Sequence, residues 1–89
     1  MGRRRRAQPK KLKAKLKQIR ERLDLTQEEM VKALRRRAPR EFLHSGYIAQ
    51  FENGKREPSL PVLLAYSKLA DVSINYLVDD KLRLPDIGS

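Results

Sequence analysis

Tyr47-Ile48-Ala49-Gln50-Phe51-Glu52-Asn53-Gly54-Lys55-Arg56-Glu57-Pro58-Ser59-Leu60 holds one helix ending, one loop and one helix beginning. Ile48 and Phe51 share one face of a short helix that Ser45 is placed to cap. Apolar side chains at that spacing read as core. Asn53-Gly54 stops the helix, because glycine takes the left-handed conformation past a helix end without a steric penalty. Lys55 and Arg56 follow in an exposed loop. Pro58-Ser59 marks the next turn, and Ser59 caps a further helix carrying Leu60, Leu63, Leu64 and Leu69.

Towards the N-terminus, Thr26 and Glu29 form a capping box that satisfies two orphan backbone donors. Leu25 and Met30 are spaced for a hydrophobic staple around it, and Leu34 continues the stripe. This helix decays in Arg35–Arg37 and ends before Pro39. An earlier helix is expected to take Pro9 as its first residue. Its apolar stripe is Leu12, Leu16, Ile19 and Leu23, with lysines on the other face. Towards the C-terminus, Ser73 caps a short fifth helix with Ile74 and Leu77, and the chain frays from Pro85. Five short helices with no strand pattern predict an all-α domain. Residues 1–8 are expected to be a disordered basic arm, residues 9–80 the folded domain and residues 81–89 a tail.

The chain has 89 residues, enough for one compact domain. It has no cysteine, which excludes disulfides and thiolate zinc sites and fits a reducing compartment. His44 is the single histidine, too few donors for a metal site. No apolar run can span a membrane. Met1-Gly2 lacks the later Ser or Thr of a myristoylation signal, and the basic start leads into more lysines rather than an apolar signal segment. The expectation is a soluble, cytoplasmic, nucleoid-associated protein. The net charge is +10, and residues 1–20 carry ten Lys or Arg and no acid. Arg35, Arg36, Arg37 and Arg40 form a second cluster, whereas acids outnumber bases from Glu57 onward. Such a one-sided field favours a polyanion: nucleic acid, an anionic membrane surface or an acidic protein. No nucleophile stands beside a base in a known pattern and no glycine-rich phosphate loop occurs, so neither an enzyme nor a cofactor is expected.

A capped helix, a turn, a short helix ending in Glu52-Asn53-Gly54, a basic loop and two more helices together resemble the Cro and phage-repressor family of helix-turn-helix domains, the XRE type. The residues that carry the resemblance are Ile19-Arg20, Leu25-Thr26-Gln27-Glu28-Glu29-Met30, the run 47–60 and Leu69–Leu77, so it covers residues 10–78. It implies a five-helix repressor-like domain that binds duplex DNA as a transcriptional regulator. It implies that Gln27 contacts a phosphate from a helix N-terminus, and that the helix near Ser45 enters the major groove. Matched by position, His44, Ser45, Gly46, Tyr47 and Gln50 face the bases. Gln50 leads this set because glutamine can bond adenine in bidentate fashion. Ser45 specifies weakly, Gly46 serves close approach, and Tyr47 either touches a thymine methyl or lies on a phosphate. Lys55 and Arg56 are implied phosphate contacts, and Arg20 and Glu52 an ion pair that orients the recognition helix. Arg3, Arg4, Arg5 and Arg6 have two readings: an arm in a minor groove, or a tail supplying general electrostatic affinity.

Two features depart from the family. The connection between the motif helices is longer, with room for about two extra helical turns. The extra segment, Arg35–Leu43, either extends the first motif helix or forms a loop along the DNA backbone, with Arg36, Arg37 and Arg40 on phosphates. Val31 also stands where the family prefers alanine, which pushes the helices slightly apart. The resemblance further implies a homodimer joined through the last helix and tail, including Tyr76 and Leu77, and reading a pseudo-palindromic operator. Two rival readings remain: an antitoxin that also binds a small toxin protein, and a non-specific nucleic-acid-coating protein driven by the arginines.

Overall fold

A computed structural model describes residues 9–85; the arm Arg3–Arg6 lies outside the described residues. Within them the order is α1 (Leu12–Arg22), α2 (Gln27–Arg37), α3 (Ser45–Asn53), α4 (Leu60–Ala70) and α5 (Asn75–Val78). The all-α, five-helix expectation holds. α3 packs on α1 and α2, α4 on α2 and α1, and α5 on α1.

α1 begins three residues later than Pro9. Pro9 only offers its carbonyl to the Leu12 N–H. The free N–H groups of Lys10 and Lys11 donate instead to the Asp80 carboxylate, at 2.8 and 3.0 Å, so the far end of the chain caps this helix. Leu12, Leu16 and Ile19 are buried as expected and Leu23 is partly so. Lys15 is not on the outer face: it is buried, and its Nζ donates to the carbonyls of Tyr76 at 2.7 Å and Asp79 at 3.0 Å. These carbonyls lie at the end of α5, where no further turn supplies donors. The aliphatic stem covers the core while the ammonium ties α1 to α5.

The capping box at Thr26 and Glu29 is formed in both directions, at 3.1 and 2.8 Å. Met30, Val31 and Leu34 face the core. α2 runs to Arg37, so the extra segment is part helix and part connection. The connection is pinned rather than loose. Ala38 and Leu43 are buried, Arg35 donates to the Leu43 carbonyl at 2.6 Å, and the Ser59 hydroxyl donates to Glu41 at 2.7 Å. Because Leu43 points inward, the preceding side chain, Phe42, is left 72% exposed.

Ser59 caps α4 as expected, donated to by the Val62 N–H. The buried face of α4 is Val62, Leu63, Tyr66 and Ala70; Leu60 and Leu64 point outward. Ser73 accepts from the Asn75 N–H at the start of α5, and Leu77 is fully buried. The Pro85 carbonyl accepts from Arg22 at 3.0 Å and Leu84 packs against the core, while residues 86–89 of the expected tail lie outside the described residues.

Candidate nucleic-acid interface

α3 buries Ile48 and Phe51 against α1 and α2, and its start lies near the surface. The cap is His44, not Ser45. The His44 Nδ1 accepts the Gly46 N–H at 3.0 Å, which leaves Nε2 as the ring's donor. Ser45 is the first helical residue. Gly46 is small for a reason the backbone makes plain: a Cβ there would meet the His44 ring at 2.8 Å. Gly46 therefore gives the ring room to fold over the helix start.

Besides its buried face, α3 is tied to α1 by one ion pair. Arg20 Nε and Nη2 donate to the two Glu52 carboxylate oxygens at 2.7 and 3.0 Å, and Arg20 Nη1 donates to the Leu25 carbonyl at 2.9 Å. Both side chains are largely buried, at 15% and 5% exposure. A planar fork matched to a carboxylate restricts rotation as well as distance. The Gln27 amide donates to the same carboxylate at 3.4 Å. Gln27, expected only as a phosphate contact, is thus also placed beside the ion pair at the start of α2. Its half-buried side chain shares that start with the free amides of the first turn.

Gln50 does not stand alone. Arg56 Nε donates to Gln50 Oε1 at 2.8 Å, and the Arg56 guanidinium carbon lies 4.0 Å from the centre of the Tyr47 ring. Gly54, at φ 81°, turns the chain back so that Arg56 can return over α3. Tyr47 also lies against His44, with ring centres 4.1 Å apart. His44, Tyr47, Gln50 and Arg56 therefore form one connected group. Gln50 Oε1 keeps its second lone pair and its NH2 stays available, so the amide is oriented without being used up. Lys55, Arg36, Arg37 and Arg40 are exposed. Among the described residues no group of His, Cys, Asp or Glu is arranged to hold a metal ion.

Phe42 carries no role in the sequence reading, yet its ring stands edge-on to His44 at 5.7 Å and to Tyr47 at 5.9 Å. The signal that marks it is the alternation Phe42 out, Leu43 in, which follows only once Leu43 is known to be buried.

A helix-turn-helix family model matches residues 16–77, which run from within α1 into α5. The chain belongs to the Cro and phage-repressor helix-turn-helix family. As a member of that family it is a DNA-binding transcription regulator. No curated protein and no solved structure matches it. Among the described residues no helix is long and apolar enough to cross a membrane.

Proposed function

We propose that the chain reads a specific duplex sequence by laying the start of α3 in the major groove, with Gln50 as the principal base contact. The observation that carries this is the orientation of Gln50 by Arg56 on one side and of the whole helix by Arg20–Glu52 on the other. A side chain held in one setting before binding loses less entropy on reaching a base edge. His44, Ser45 and Tyr47 contact neighbouring bases, and Gly46 permits the approach. Gln27, Arg36, Arg37, Arg40 and Lys55 hold the phosphates. Arg56 acts at the Gln50 base pair rather than on a phosphate.

The regulator acts as a homodimer on a two-fold symmetric operator, with half-sites about one helical turn apart, and represses by occupying it. Support for the pairing face is apolar exposure: Leu60 is 62% and Val78 39% exposed, beside a groove lined by Pro9, Leu12, Leu63 and Ile74. Leu77, expected in that face, is buried within the monomer.

The test is selection from a random duplex pool at near-physiological salt, with intact protein and with Gln50→Ala. The expected result is a symmetric motif whose preference weakens at defined base pairs in Gln50→Ala. Salt-sensitive binding with no enriched sequence would overturn the reading in favour of coating by the arginines, whose affinity falls by about 0.9 log units per tenfold salt for each phosphate contacted.

A further inference from the structure

We propose that Phe42 is a base-reading residue that packs against the methyl group of a thymine, one step beyond the end of the recognition helix. The inference rests on the reading of α3 as the major-groove helix. Three observations carry it. Phe42 is the most exposed of the large apolar side chains among the described residues, at 72%. It is also held in place: the adjacent Leu43 is 2% exposed and its carbonyl is bound by Arg35, so the backbone cannot turn the ring inward without extracting Leu43 from the core. Finally, its ring edge-packs on His44 and Tyr47, the cap and first turn of α3, which places it at the end of the helix that meets base edges.

The chemistry selects the target. A phenyl ring has no donor or acceptor for a base edge, and the major groove offers one apolar group, the thymine methyl. Phosphates give a phenyl ring nothing. The arginines of the same connection, Arg36, Arg37 and Arg40, are exposed and supply the charge that a duplex beside the ring requires. The extra segment of α2 and its connection thus adds a contact at the edge of the half-site.

The experiment uses the full chain and a duplex carrying the sequence that the chain itself enriches. Each thymine is replaced in turn by deoxyuridine, which removes only the methyl, and affinity is measured for the unaltered chain, Phe42→Ala and Phe42→Leu. At one position per half-site the unaltered chain should lose about fourfold in affinity, the equivalent of one buried methyl at room temperature. Phe42→Ala should be insensitive at that position, and Phe42→Leu should keep part of the effect. Equal uracil profiles for the unaltered chain and Phe42→Ala would overturn the proposal, as would a change in oligomeric state on Phe42→Ala, which would place the ring between copies. Enrichment that depends on Gln50 but shows no methyl effect overturns this inference alone. Failure to enrich any sequence overturns it together with the reading of α3.

Discussion

Glu52 holds three groups at once: both arms of the Arg20 fork and the Gln27 amide. Removing one partner of such a pair strands the other charge, which is costlier than never having built the pair. The Arg20 guanidinium is held further into its charged form by its hydrogen bond to Glu52. Glu52→Ala should therefore destabilise the fold by about 3 kcal/mol. In a domain of this size that lowers Tm by more than about 10 °C, readable by thermal unfolding. DNA affinity should fall with it, since α3 loses its rotational stop; unchanged Tm and affinity would make the pair irrelevant. Arg56 makes a different forecast. If it orients Gln50, Arg56→Ala loses discrimination at the base pair Gln50 reads more than it loses overall affinity. Arg56→Lys does not restore it, because an ammonium lacks the flat face that lies over Tyr47. A uniform loss across sequences, with the salt slope shallower by about one, would return Arg56 to the phosphates.

Some helix ends are readable, because a cap is a local bargain between a side chain and the nearest free amides, whereas the starts of α1, α3 and α5 lie one to three residues from where Pro9, Ser45 and Ser73 suggest. Thr26 with Glu29, Ser59 and Gly54 all stand where their sequence context puts them. Gly54 offers a direct check. At φ 81° an added Cβ is strained, and it also meets the Lys13 side chain at 3.0 Å. Gly54→Ala should cost about 1–2 kcal/mol, measured by denaturant unfolding. Helix faces were less legible. α4 is apolar almost all round, so Leu60, Leu63, Leu64 and Leu69 read as well as the stripe actually buried, Val62, Leu63, Tyr66 and Ala70. Periodicity cannot choose between faces that are both apolar. Lys15 was missed for the opposite reason: a lysine reads as solvated until a distant helix is known to present bare carbonyls to it. At the candidate site, Gln50, Tyr47 and the Arg20–Glu52 pair came from the ordered motif. His44 as the cap, Arg56 over Tyr47 and the outward ring of Phe42 depend on how the loops fold back, which no local pattern encodes.

Across the whole molecule, the two ends of the described chain are clasped beside α1. Asp80 caps the entry to α1, Lys15 reaches α5, and Arg22 holds the Pro85 carbonyl. The backbone bonds from Lys11 and Lys10 hold the Asp80 carboxyl below its ordinary value. The sign follows. The folded chain keeps Asp80 deprotonated to lower pH than the unfolded chain does, so this stabilisation is complete above the unfolded carboxylate range and fades as pH falls through the folded value. Asp80→Asn should flatten the acid side of a plot of Tm against pH; an unchanged acid limb would show that the clasp adds no stability. Its position along the chain has a second effect, on time. Lys10 and Asp80 are 70 residues apart, and bringing such distant segments together costs chain entropy that only a nearly complete structure repays. Contacts of this kind should close after the rate-limiting step, so Asp80→Asn should leave the refolding rate unchanged in stopped-flow; slowed refolding would place them in the folding nucleus. Their loss accelerates unfolding and leaves refolding almost untouched. A clasp that closes late sets how long a folded molecule survives rather than how quickly it is made.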